Sequence, residues 1–139
     1  MTKRDLGNKG EDAVCRYIEK YGYRIIERNF VCKKGEIDII AENDDTIAFI
    51  EVKSRKEDSM VSGAAAVNYT KKMRIIKTAA YYTYKNPLTK QPRFDIAEVI
   101  LKNNIPIHYH QSKINSLNLI WYLVKFHIYS HNFPYLISS

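Results

Sequence analysis

Two short apolar segments of this chain are interrupted by ionisable residues: Gly35-Glu36-Ile37-Asp38-Ile39-Ile40 and Phe49-Ile50-Glu51-Val52-Lys53. Both read as strands. Side chains alternate along a strand, so Glu51 and Lys53 share a face, and so do Glu36 and Asp38. Asn43-Asp44-Asp45 between the segments is a turn signal. A two-residue turn at Asp44-Asp45 and a four-residue loop over 43–46 give the same register, with Glu42 opposite Ile47 and Asp38 opposite Glu51; an odd-length loop would break it. Two carboxylates facing each other across a sheet repel, and burial adds desolvation. A divalent cation between them reverses the sign of that interaction. Mg2+ is a hard ion held by one or two carboxylates, with water and phosphate oxygens completing its shell. It activates water and stabilises charge on a phosphoryl group. A lysine at its edge, here Lys53, can orient the attacking water or stabilise the developing charge. The set fits phosphodiester hydrolysis with Mg2+ or Mn2+. The alternative is an ion-paired hairpin, Lys53 with Glu51 and Asp38 capping a bend.

The elements that must hold these residues can be read from periodicity. Val14, Tyr17, Ile18 and Tyr21 recur at helical spacing and predict a helix over 6–21, with Gly22 after its end. Asn8 followed by Glu11 resembles a capping box at its start. Strands follow over 23–30, 36–42 and 46–53; the third is nearly continuous in apolar residues, which predicts burial on both faces. Residues 54–68 read as a loop with one helical turn at 64–66. Thr70 is placed to N-cap a second helix that ends near Lys85, with Ile75, Ile76, Ala79, Ala80 and Tyr82 as its buried stripe. Asn86-Pro87 stops it. Further strands are expected over 93–101 and 107–110. The order is helix, three strands, helix, two strands: an α/β domain over 1–114 with a mixed sheet and helices packed on it.

The 139 residues suffice for one domain that needs no disulfide or structural metal to fold. Hydrophobic residues at 45% and charged residues at 27% exclude disorder and low complexity. Cys15 and Cys32 form no disulfide framework, and the polar start carries no secretion signal, so a cytoplasmic setting is expected. No phosphate-binding glycine motif occurs, which argues against a nucleotide cofactor. The histidine pairs His108/His110 and His127/His131 lack a nearby cysteine or carboxylate cluster, so zinc is not expected. The net charge is +7, and 53–93 holds ten Lys or Arg against two acids. Concentrated positive charge points to a polyanion partner or, failing that, to a solvated basic face. Tyr69, Tyr81, Tyr82 and Tyr84 in that stretch either stack on unpaired bases or pack a helix on the sheet. Residues 115–139 form a distinct C-terminal extension, apolar but interrupted by Asn118, Lys125, His127 and Pro134, and not a membrane span. It packs on the domain or a partner, lies on a membrane surface, or forms a loose tail.

The G-E-I-D-I-I segment followed after a short hairpin by F-I-E-V-K-S-R resembles the catalytic core of the PD-(D/E)XK nuclease superfamily, whose restriction-endonuclease-like fold has the order αβββαβ. More closely, the chain resembles the YraN-like family of small bacterial proteins, related to archaeal Holliday-junction resolvases. The matching residues are Gly7, Gly10-Glu11-Asp12-Ala13, Asn29, Gly35-Glu36-Ile37-Asp38, Phe49 to Arg55, Lys71 and Arg93-Phe94-Asp95. The resemblance implies that Asp38 and Glu51 bind Mg2+ or Mn2+, that Lys53 is the catalytic lysine, and that Glu11 completes the metal site. Glu11 lies on the same helical stripe as Val14 and Ile18, which agrees with that role; a helix-capping role is the alternative. The proline of the superfamily's name is replaced by Ile37. Arg55, Lys71, Lys72 and Arg74 are the expected nucleic-acid contacts, with DNA as the expected partner. The resolvase likeness also implies a homodimer, since a junction needs two symmetric cuts. The expected function is a metal-dependent nuclease acting on branched or junction DNA; the alternative is a non-catalytic nucleic-acid-binding protein on the same fold.

Overall fold

The computed structural model describes residues 1–58, 69–103 and 105–113. The loop expected over most of 54–68 and the extension over 115–139 lie outside the described residues. The elements are α1 (Lys3–Lys20), β1 (Arg24–Cys32), β2 (Gly35–Glu42), β3 (Thr46–Lys56), α2 (Tyr69–Lys85), β4 (Gln91–Lys102) and β5 (Ile105–Lys113). The five strands form one sheet in chain order. β3 and β4 run parallel, and the other neighbours are antiparallel. A parallel pair needs a crossover, and α2 lies in the segment between β3 and β4. This mixed α/β arrangement, five strands and two helices, is consistent with the nuclease-like order expected above.

α1 begins earlier than periodicity indicated. Thr2 is its N-cap: its hydroxyl accepts from the Asp5 N–H at 3.1 Å, and the Asp5 carboxylate accepts from the Thr2 N–H at 2.9 Å. That reciprocal pair satisfies two otherwise orphaned donors. Asn8 and Glu11 therefore sit inside the helix, and the capping role of Glu11 is excluded. Thr70 likewise lies within α2, which starts at Tyr69, and is not its N-cap. β1, β3, β4 and β5 each run a few residues further than expected.

The two helices bury opposite faces of the sheet. On one, Ile75, Ile76, Ala79, Ala80 and Tyr82 of α2 pack on Ile37, Ile40, Ile47, Phe49 and Phe94. Tyr82 stands edge-on to Phe30 and Phe49, with ring centres 5.3 Å and 5.9 Å away, and Phe49 stacks on Phe94 at 5.4 Å. On the other face Val14, Cys15 and Ile18 of α1 cover Ile39, Ala41, Ala48, Ile50, Ala97, Val99 and Leu101. Tyr17 and Tyr21, expected on this buried stripe, are exposed. α1 comes close to β3 at Gly10, where a Cβ would overlap the Ser54 hydroxyl and sit 2.9 Å from Ser54 Cβ. Arg93 and Asp95 tie β4 to the start of β1. Arg93 Nε donates to Asp95 Oδ2 at 2.8 Å, and the guanidinium donates to the Tyr23 hydroxyl at 2.7 Å.

The β2–β3 hairpin has the even-length turn on which the register depended. The Asn43 N–H donates to the Thr46 carbonyl at 3.0 Å, and Asn43 Oδ1 accepts from the N–H groups of Asp45 and Thr46. The ladder runs from Glu42–Ile47 to Ile39–Ile50 and ends one step short of Asp38 and Glu51. Alternation also breaks there. Ile37 packs under α2 but Ile39 under α1, although two residues apart on one strand should share a face. The neighbouring strand does the same: Phe30 packs toward α2 while Arg28 reaches α1. Between them Asn29 has φ 51°, a left-handed conformation that asparagine tolerates better than most residues. The pleat turns over at Asn29 and Asp38 together, so the simple alternation that put Glu36 and Asp38 on one face does not hold.

Candidate functional site

The turned pleat frees Asp38 from regular pairing. Its Oδ2 accepts the Val52 N–H across the gap between β2 and β3 at 2.7 Å. Burial, and after it the charge of Glu51, pushes the Asp38 carboxyl up to about 7; Glu11 and Glu36 push the same way, and the Val52 hydrogen bond opposes them. The carboxylates of Glu51, Glu11 and Glu36 therefore all act on one half-buried acid.

Glu51 is positioned by β3, which pairs residue for residue with β4. It shares the α2 face with Phe49, and its side chain is 12% exposed. Oε1 lies 2.5 Å from Lys71 Nζ. Lys71 was expected among the nucleic-acid contacts; in this conformation it closes an ion pair at the centre of the site. The signal was present in α2, since Lys71, Ile75 and Thr78 lie at i, i+4 and i+7, the spacing of one helix face, and the latter two are buried.

Lys53 is half-buried, two residues beyond Glu51, opposite Glu98 of β4. Arg55 follows on the same strand, also half-buried, whereas Lys72 and Arg74 are exposed on α2. Glu11 is buried at 8% exposure, and its Oε2 accepts from Asn29 Nδ2 at 3.1 Å and from Arg28 at 3.3 Å. Arg28 also bridges to Asp12 at 2.8 Å. The structure thus brings Asp38, Glu51 and Lys71 together, whereas Glu11, on the α1 side, is tied to Asn29 and reaches Asp38 through its charge. Cys15 is a buried helix residue whose thiol burial pushes up, as a packing role requires.

Among the described residues, no three His, Cys, Asp or Glu side chains are close enough to form a metal cage. Two carboxylates on adjacent strands still fit a hard ion that keeps most of its shell as water and phosphate oxygen. Burial first and the Glu51 charge second raise Asp38, and such an ion would offset both.

A cleft of about 830 Å³ opens onto Glu51, bounded by the β1–β2 turn with Lys33, Lys34 and Glu36, and by the first turns of α2 with Lys71 and Arg74. The sequence reading missed Lys33 and Lys34. They sit immediately before Gly35, outside the basic stretch counted from Lys53 onward.

Fold and site together define a small mixed α/β protein whose acidic pair is set where a hairpin ladder parts. Residues 10–99 match the model of the uncharacterised protein family UPF0102, and the chain belongs to that family. It is similar to a UPF0102 protein of Clostridium acetobutylicum, 49% identical across 72% of this chain and 83% of the relative. A UPF0102 protein of Alkaliphilus metalliredigens is 44% identical across 76% of this chain and 94% of its own length. One from Myxococcus xanthus is 35% identical across 70% and 79%. Among the described residues, no helix is long and apolar enough to cross a membrane.

Proposed function

We propose that this protein is a metal-dependent nuclease that hydrolyses phosphodiester bonds in DNA, with branched or junction DNA as its substrate, in the manner of the PD-(D/E)XK nucleases and archaeal resolvases it resembles. The observation that carries this reading is the half-buried Asp38 carboxylate, held across the strand gap by the Val52 N–H with Glu51 next to it, so that its carboxyl is pushed up to about 7. Holding an acid at such a cost is the pattern of a functional site, and a cation shared with Glu51 would offset the cost. Asp38 and Glu51 would hold Mg2+ or Mn2+, which supplies an activated water and charge stabilisation on the phosphoryl group. Val52 keeps the Asp38 carboxylate aimed across the strands. Glu11 supports the site by fixing Asn29. Lys53, on the Glu51 face, would meet a phosphate oxygen or the attacking water. Arg55, Lys72 and Arg74 would supply positive charge for the nucleic-acid backbone, and Lys71 would do so only on leaving Glu51.

One observation favours a second reading, a nucleic-acid-binding protein without catalysis: the Lys71 ammonium already neutralises Glu51. Incubation with labelled branched, double-stranded and single-stranded DNA, with Mg2+, Mn2+ or chelator, separates the two. Metal-dependent cuts lost in Asp38→Asn and Glu51→Gln support the nuclease. Binding without cuts on every substrate supports the second reading.

A further inference from the structure

We infer that the cleft between the β1–β2 turn and α2 is a track for one unpaired nucleic-acid strand, with Lys33, Lys34 and Arg74 as its phosphate contacts. The inference rests on the nuclease reading for its direction, since the track ends at Glu51, but its binding test stands apart from cleavage.

Charge is the first argument. Among the described residues, six charged side chains line the cleft: Lys33, Lys34, Lys71 and Arg74 against Glu36 and Glu51. Lys71 and Glu51 neutralise each other. Among the described residues no carboxylate forms an ion pair with Lys33, Lys34 or Arg74, and Lys33, Lys34 and Arg74 are exposed. Three cations against one acid leave a surplus that a phosphate backbone complements. Arg74 adds a planar fork suited to a phosphate.

The second argument is that the walls are already formed. Gly35 has φ 145°, and a Cβ there would lie 2.9 Å from Thr78 Oγ1. The turn therefore rests directly on α2 and forms one wall of the cleft. Behind it Phe30 packs against Tyr82 and Tyr81, and the Lys34 N–H donates to Cys32 Sγ at 3.4 Å. The lysines are carried on a braced turn, which lowers the ordering cost of binding.

The third argument selects a single strand. The bases of an unpaired strand are free to meet apolar surface, whereas a duplex keeps them stacked inside, and the cleft offers such surface. Its apolar surface comes from Val31, 67% exposed at the rim, and Ile75. Tyr69, 77% exposed, adjoins the cleft-lining Thr70 and offers a face on which an unpaired base can stack.

Fluorescence anisotropy with a labelled single-stranded oligodeoxynucleotide and its duplex, in chelator so that nothing is cut, tests this. Lys33→Ala/Lys34→Ala should weaken single-strand binding about tenfold at low salt. It should flatten the dependence of log K on log salt by ~1.4, at roughly 0.7 per single-strand contact. Lys3→Ala/Lys9→Ala removes the same charge from α1, on the opposite face, and should change affinity less than about twofold. Equal losses in both double variants, unchanged affinity in the first, or a wild-type protein that prefers the duplex would overturn the inference. Binding that follows this pattern in a protein that cuts nothing leaves the track standing and removes the nuclease. Wild-type cleavage and affinity in the Lys33/Lys34 variant does the reverse.

Discussion

Replacing Asp38 by asparagine should stabilise the protein, and the gain should depend on pH in a defined way. The substitution keeps a side-chain oxygen that can accept the Val52 N–H and removes only the charge. At about 1.36 kcal/mol per pH unit, a carboxyl raised from 3.8 to about 7 costs the ionised folded state up to ~4 kcal/mol. Solvent relaxation around a site that is not fully sealed lowers this to about 2–4 kcal/mol. Between those two values the folded state binds more protons than the unfolded state. Stability from this group therefore falls as pH rises from about 4 to about 7 and stays low above that. The asparagine side chain of the variant does not titrate. Urea unfolding in chelator should thus give nearly equal stabilities near pH 4, with the variant ahead by about 2–4 kcal/mol at pH 8. Groups that titrate alike in both proteins drop out of the difference. Added Mg2+ should narrow the gap at pH 8 by binding only the wild type. A difference that stays constant across the pH range, or a variant less stable at pH 8, would refute the reasoning that Asp38 is held at electrostatic cost.

On the nuclease proposal, Lys53→Ala should lose cleavage while keeping Mn2+ binding, because Lys53 would act on the phosphate or the water and not as a ligand; calorimetric loss of binding in a folded variant would contradict this. Lys71→Met should raise Mn2+ affinity severalfold, because the ammonium 2.5 Å from Glu51 Oε1 competes with the ion. Unchanged or weaker binding in that titration would show that the pair is only structural. In an isolated helix Gly10→Ala would stabilise by about 0.8–1.0 kcal/mol. Here the new Cβ meets Ser54 at the α1–β3 contact, so a net loss of about 1–3 kcal/mol is expected by thermal or urea unfolding; a gain would show that α1 can lift off the sheet without cost.

The turned pleat explains why one site draws on residues so far apart in the chain. Asn29 holds a backbone conformation that few residues accept, and its amide is tied to Glu11. Glu11 is carried there by a helix whose close approach needs Gly10. α1, β1 and β2 thus act together to set the direction of a single carboxylate.

Patterns that repeat with the geometry of a strand or helix were legible in the chain itself. The apolar run of β3, the stripe of α2 and the Asn43-Asp44-Asp45 turn determined the order of elements and the hairpin register, because each is a local, periodic signal. The register in turn set Asp38 near Glu51. What local patterns do not contain is where long side chains end and where strands depart from the ideal. That Lys71 meets Glu51, that Glu11 is held by Asn29 and Arg28, and that Lys33 and Lys34 wall the same cleft as Arg74 all depend on α2 and the β1–β2 turn lying together over the sheet. The alternation rule failed at Asp38 because a left-handed residue on the neighbouring strand, Asn29, turned both strands over at once. Only the tertiary structure decided that, since the cause lies nine residues away in the chain but next door in the sheet.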